Sequence, residues 1–361
     1  MKTEEAAGIS LGRQIIKGIL LAFILLRPFI DGLTYPIQNS IFQLVVVFLV
    51  LLWLFNLFCR KGETFPLLRS PSDLPIFLFL LLLLVGSSFS SSHYLSLHLS
   101  LQFISYFLLY WLVVNNIEEK EVKGFLVILL FSATLVSLYG IYQYFWGLEA
   151  TREFIAVHYR MDELPQALLA RLSSNRVFST YVYPNILAGY LIMLFPIGLV
   201  MAMERKTFFS RFGFLAICAL LLLCLFYTRS VGGWISLVFI LGFFLIFYFF
   251  KERKKILFFG GLFLSLSLLI FFLFFKFEGL PHPSAFQDRL GYWTASLRMI
   301  KEGPFFGSGP GTFGSRFARY KLAYTMETQH AHNNFLEVWV ESGIFGLLLF
   351  LWIWWNFFRA A

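Results

Sequence analysis

The stretch Gln329-His-Ala-His-Asn-Asn-Phe-Leu-Glu-Val-Trp-Val-Glu341 gathers two imidazoles, two asparagine amides and two carboxylates just where a long apolar run begins. An imidazole titrates near 6.5 when unperturbed, which suits it to take a proton from a weak nucleophile such as an alcohol. Helix-start chemistry accounts for part of the cluster. Asn334 with Glu337 reads as an Asn-x-x-Glu variant of the capping box, and carboxylates favour the positive end of a helix dipole. Starting a helix requires neither His330 nor His332. His332 is therefore the candidate base, with His330 and Asn333 beside it, and Glu337 and Glu341 as groups to orient the imidazole or meet a nearby arginine.

Two other stretches carry the complementary charge. Segment 147–183 contains Arg152, Arg160, Arg171 and Arg176. Segment 276–333 contains Lys276, Arg289, Arg298, Lys301, Arg316, Arg319 and Lys321. Arginine presents a planar, permanently charged fork that matches phosphate oxygens. Gathered in two long segments, these basic residues point to an anionic ligand near the candidate imidazole. A solvated or headgroup-bound arginine is the plainer alternative, and a boundary residue such as Arg229 is open to it.

The elements that must position these groups are membrane helices. Of 361 residues 59% are hydrophobic and 14% charged, and 47 are phenylalanine; a soluble domain carries about 25% charged residues. Runs near 14–31, 37–58, 74–90, 95–114, 124–146, 184–203, 212–228, 232–250, 255–275 and 334–357 each approach the ~20 residues that cross a bilayer. Backbone in lipid must satisfy its own hydrogen bonds, so these spans are helices. With the N-terminus in the cytoplasm, the short inner segments hold fifteen lysines and arginines, whereas the short outer loops hold only Arg27 and Arg229. That bias sets the orientation. The first apolar run lacks a small-x-small cleavage site and reads as a retained helix.

The expected architecture is an all-α polytopic membrane protein with about ten transmembrane helices. Helices 1–5 occupy residues 1–146, a first long extracytoplasmic loop 147–183, helices 6–9 residues 184–275, a long extracytoplasmic catalytic loop 276–333, and a last helix 334–361. Within the second loop, Phe286, Leu290, Trp293, Leu297 and Ile300 follow helical spacing, so an amphipathic helix is expected there, ended by Gly303-Pro304 and lying at the interface or over a cavity. Arg289 and Trp293 are neighbours on it.

Several classes are disfavoured. Cys59, Cys218 and Cys224 show no CxxC or pairing pattern, so neither a disulfide nor cysteine-bound zinc is indicated. Gly309-Pro-Gly311-Thr-Phe-Gly314 satisfies GxGxxG but follows no strand, and reads as a tight turn. GxxxxGK[ST], HExxH and GxSxG are absent from the sequence. The basic balance does not indicate nucleic acid, because it follows the membrane loops. Between Ile37 and Phe275 no charged residue sits in mid-membrane, which weakens the reading as an anion transporter, the alternative from a different class.

His332-Asn333, nine residues, Gly343, two residues and Gly346 resembles the signature of O-antigen ligases. Arg289 to Phe313, "RLGYWTASLRMIKEGPFFGSGPGTF", is similar to the arginine-bearing segment of the wider ligase/polymerase superfamily. "RVFSTYVYPNILAGY" from Arg176 and "YTRSVGGW" around Arg229 resemble two further segments, so the likeness covers about 176–346. The resemblance implies a fold of the membrane glycosyltransferase C type, usually with about a dozen spans, two more than are counted here; further helices beyond Ala361 or a longer early count would reconcile them. It implies a glycosyltransferase of the inner membrane of a bacterium, moving a glycan from an undecaprenyl-type polyprenyl-pyrophosphate carrier to a lipid-anchored saccharide acceptor on the outer face, as in lipopolysaccharide assembly. It implies no metal and no cofactor. A polymerase of the same superfamily, with another glycan repeat as acceptor, is the nearest alternative. On this likeness His332, Arg289 and Arg229 are the candidate catalytic residues. Arg176, His330, Glu337 and Asn333 are the candidate substrate-binding ones.

Overall fold

The computed structural model describes residues 2–30, 36–58, 70–159, 173–249 and 283–360, and those residues form helices and connecting turns with no strand among them. The helices are α1 (Lys2–Leu26), α2 (Pro36–Phe58), α3 (Asp73–Ser88), α4 (His93–Asn116), α5 (Glu119–Tyr142), α6 (Leu148–His158), α7 (Pro184–Glu204), α8 (Phe208–Thr228), α9 (Val231–Phe249), α10 (Pro283–Glu302), α11 (Phe313–Tyr320) and α12 (Asn334–Ala360). Six helical stretches among the described residues are long and apolar enough to cross a membrane, and two shorter apolar helices accompany them. The chain is thus a polytopic membrane protein. The span expected at 255–275 lies outside the described residues.

Two compact units divide the chain: residues 1–42 with 116–276, and residues 43–115 with 277–361. In the first unit, α5, α7, α8 and α9 pack around Leu130, Val136, Leu187, Leu191, Leu221 and Leu225. Small residues allow the helices to approach closely. A Cβ on Gly198 would lie 2.9 Å from the Cys218 sulfur, and one on Gly140 would lie 2.9 Å from the Cys224 sulfur. These two cysteines therefore fill glycine notches between helices. One end of the unit is ionic. Arg13 meets Glu118 at 3.0 Å, Lys17 meets Glu121 at 2.5 Å and Lys123 meets Glu204 at 2.6 Å. Glu118 and Glu121 also form a capping box at the start of α5.

At the other end of the unit, α5 does not stop where a loop was expected after residue 146. A π-turn, Gln143–Gly147, joins it to α6 as one continuous helical stretch. No proline interrupts this stretch, and a lone glycine costs a helix only about 1 kcal/mol. The Gln143 side chain accepts hydrogen bonds from the backbone of Phe178 (3.0 Å) and Ser179 (2.8 Å). The Thr180 hydroxyl donates to Pro28 carbonyl at 2.6 Å. These bonds tie the segment around Arg176 to the ends of α1 and α5.

In the second unit α3 and α12 run antiparallel. The Asn356 amide donates to Pro71 carbonyl at one end, and the turn after α3 meets residues 308–310 at the other. The core beneath the candidate site comprises Tyr292, Ala295, Met299, Phe313, Phe317, Ala331 and Val340. The amphipathic helix forms as α10, with its expected stripe divided: Ile300 is buried and Trp293 packs against the core, whereas two of its leucines face outward. Tyr292, Ala295, Ser296 and Met299 are buried, whereas Leu290 and Leu297 are 42% and 51% exposed. Both stripes are apolar, and in a membrane protein the outward stripe can face lipid, so periodicity cannot choose between them.

Candidate functional site: two imidazoles at a broken membrane helix

Helix α12 is interrupted at Gly343, whose φ of 68° and ψ of −171° are not helical. In an unbroken helix Val340 carbonyl would accept from Ile344 N–H and Glu341 carbonyl from residue 345. Here Ser308 N–H donates to Val340 carbonyl and Gly309 N–H to Glu341 carbonyl, each at 2.9 Å, while Ile344 N–H donates to Pro304 carbonyl at 2.9 Å. The 304–309 turn thus replaces the bonds that the break removes. Such a turn requires glycine. Gly307, Gly309 and Gly311 all have positive φ, so the GxGxxG match is a tight turn, as its sequence context suggested. A Cβ on Gly343 would sit 2.0 Å from Phe305 carbonyl oxygen.

Serines of the α3–α4 hairpin hold this turn from the far side. Ser96 donates to Pro310 carbonyl at 2.6 Å and Ser90 to Ser308 carbonyl at 3.4 Å; Ser96 also lies 2.6 Å from Ser90. The Glu341 carboxylate accepts Phe313 N–H at 3.1 Å, at the start of α11. Glu341 is therefore a strut between α12 and α11 and is bonded to neither His332 nor Arg289.

The N-cap of α12 is Asn333, one residue earlier than the capping box expected at Asn334. Its side-chain oxygen accepts N–H from Phe335 (3.1 Å) and Leu336 (3.2 Å). A cap side chain reaches the second and third helical N–H groups, and only Asn333 is placed to do so. Glu337 then lies one position too far along for the reciprocal bond. Its two oxygens accept from His330 Nδ1 (2.8 Å) and Ala331 N–H (2.9 Å) instead. Glu337 thus orients His330 and closes the loop.

His332 sits inside that loop with φ of 51°. Non-glycine residues with such backbones cost about 1–2 kcal/mol and often mark functional sites. Tyr292 of α10 packs on its ring at 5.5 Å between centroids. Thr328 Oγ1 is 3.5 Å from His332 Nε2, too far for a strong bond, and the same hydroxyl donates to His330 carbonyl at 2.9 Å. Among the described residues the ring has no strong hydrogen-bond partner. Burial, then the positive charge of Arg289, then His330 lower the His332 pKa below its ordinary value. These influences favour the neutral ring, the form that can accept a proton. His330 shifts the other way, raised chiefly by its bond to Glu337. Arg289 is exposed on α10, and its guanidinium has no polar partner among the described residues.

The first unit holds the second cationic group. Arg176 donates from Nε to Thr228 carbonyl (2.9 Å) and from Nη2 to Asn185 Oδ1 (2.8 Å). Ser230 shares that Asn185 oxygen at 3.0 Å. Burial and the charge of Arg229 lower the Arg176 pKa. Arg229 ends α8 in a left-handed backbone with φ of 49°, and its guanidinium has no partner among the described residues. Four non-glycine residues among those described have positive φ. They are His332 and Arg229 themselves, with Asn175 and Ser179 bracketing Arg176. Strain of this kind is retained where surrounding structure enforces it.

The structure thus brings His332, His330, Arg289 and Glu337 into one neighbourhood, and Arg176 and Arg229 into another; the two belong to different units. Tyr292 and Thr328 were not among the residues singled out by sequence. Tyr292 lies three residues after Arg289, and Thr328 four before His332, but neither type signals contact with an imidazole.

A broken apolar helix, a loop-borne imidazole at its start and an α10 arginine with no polar partner among the described residues define an integral membrane protein with a polar site at a helix end. Residues 216–351 match the family model described as O-antigen ligase. That stretch runs from within α8 into the broken α12 and is similar to the O-antigen ligase family over that part of the chain. Among curated proteins none matches the chain.

Proposed function

We propose that this chain is a membrane glycosyltransferase of the O-antigen ligase type. It moves a glycan from a polyprenyl-pyrophosphate carrier to a saccharide acceptor at the extracytoplasmic face of the bacterial inner membrane. The observation that carries this reading is His332: an imidazole on a strained left-handed backbone, packed on Tyr292, with Arg289 close enough to lower its pKa. The acceptor hydroxyl gives its proton to His332. Its oxygen bonds to the anomeric carbon as the bond from that carbon to the pyrophosphate oxygen breaks. The electron pair stays with the pyrophosphate, whose growing charge is met by Arg289, without a metal. The Arg289 guanidinium is free of polar partners among the described residues, which supports that role.

The test is reconstitution in vesicles with a purified polyprenyl-pyrophosphate glycan and a lipid-anchored saccharide. Wild type should release polyprenyl pyrophosphate and extend the acceptor without an ion gradient. His332→Ala should insert normally and lose about 10²–10⁴-fold in turnover, the usual contribution of a positioned base. Near-normal product from His332→Ala would remove the imidazole from the reaction. Solute flux without glycan donor would favour a transporter.

A further inference from the structure

His330 is not required to cap α12, because Asn333 does so, and it does not fill the core, because its side chain is 68% exposed. Its Nδ1 is fixed on Glu337 Oε1 at 2.8 Å. The opposite nitrogen, Nε2, has no hydrogen-bond partner among the described residues. A carboxylate on one imidazole nitrogen fixes the ring's direction and stabilises its protonated form, leaving the other N–H to act outward. His332 is two residues away, on the same loop and under the same Thr328 hydroxyl.

We propose that His330 is a second working imidazole of this site, set by Glu337 so that its outward Nε2–H donates to the departing pyrophosphate while His332 serves the acceptor hydroxyl. This rests on the glycosyl-transfer reading above. The balance closes. His332 takes the acceptor's proton, the pyrophosphate oxygen keeps the electron pair of the broken carbon–oxygen bond, and His330 donates a hydrogen bond to that oxygen and retains its own proton. The opposite environments of the rings fit this division. Burial, Arg289 and His330 press His332 towards the neutral form, whereas Glu337 and, more weakly, Glu341 favour the cation at His330. Paired titratable groups pushed apart in this way commonly mark an acid and a base.

The experiment measures steady-state release of polyprenyl pyrophosphate against pH for wild type, His330→Gln and Glu337→Gln in vesicles. Wild type should give a bell: an acid limb where His332 becomes protonated, and an alkaline limb where His330 loses its proton. Loss of a charge-assisted donor corresponds to about 10- to 100-fold in kcat, so His330→Gln should fall by that amount, with KM for the acceptor little changed and the alkaline limb gone. Glu337→Gln retains a side-chain oxygen for Ala331 N–H but removes the charge, so its alkaline limb should move to lower pH. A purely structural Glu337 would leave the limb in place, and that result overturns the proposal. Wild-type turnover with His330→Gln unchanged overturns it too, while leaving the transfer reading intact. No release from wild type overturns both.

Discussion

At the scale of single residues, the chemistry depends on how far each group's surroundings move it from its ordinary behaviour. His332 must be neutral to accept a proton, and part of what keeps it neutral is the charge on Arg289. Two substitutions separate charge from shape. Arg289→Lys retains the charge but loses the bidentate fork. Its rate should fall about 10²-fold, the loss typical of one removed transition-state donor, with the acid limb of the pH profile unmoved. Arg289→Gln also removes the charge, so the His332 pKa rises, and the acid limb should shift to higher pH. An unchanged rate in Arg289→Lys would mean that the guanidinium only meets solvent. The sequence showed these residue types and their spacing. It did not show that Glu337 belongs to His330, because side-chain reach across a left-handed turn is not a property of spacing.

At the scale of elements, the break in α12 makes the site. Gly343 allows the 304–309 turn to bond to the helix backbone, and that turn links α12 to the α3–α4 serines. Gly343→Ala would place a methyl 2.0 Å from Phe305 carbonyl, in a backbone region that itself costs about 1–3 kcal/mol for a side-chain-bearing residue. A marked fall in the detergent unfolding temperature is expected, with transfer lost. Gly189→Ala in α7 is the control, since nothing lies within 4 Å of its Cβ position and alanine favours a helix; its unfolding temperature should hold or rise. If both variants unfold alike, the break is not structurally required. The amphipathic helix shows what spacing conceals. Its sequence revealed a helix with an apolar stripe, but the core took Tyr292, Ala295 and Met299, and Leu290 with Leu297 face outward.

At the scale of the molecule, the charge pattern makes the expected orientation testable. The ionic end of the first unit, with Arg13, Lys17, Glu118, Glu121 and Lys123, is the expected cytoplasmic end, and Arg176 with Arg229 marks the opposite one. In a Cys59→Ser background, Met326→Cys should react with a membrane-impermeant thiol reagent in cells whose inner membrane is intact. Lys206→Cys should react only after lysis. Met326 is 70% exposed, whereas Cys218 and Cys224 are buried and should stay silent. The reverse pattern would put His332 on the cytosolic side and end the glycosyl-transfer reading.

Composition alone determined that this chain lives in a bilayer, because so much apolar surface has no other solvent and backbone in lipid must be helical. The resemblance to the ligase signature grouped His332, Asn333 and Gly343, but the sequence put the cap at Asn334, and only the structure showed that Asn333 caps the helix and Gly343 breaks it. Tertiary structure decided the pairings. Glu337 went to His330, Glu341 to the start of α11, Arg176 to Asn185, and the serines to a turn more than two hundred residues away. Hydrogen bonds between distant segments depend on which helix ends meet, and that is settled by packing rather than by any neighbour in sequence.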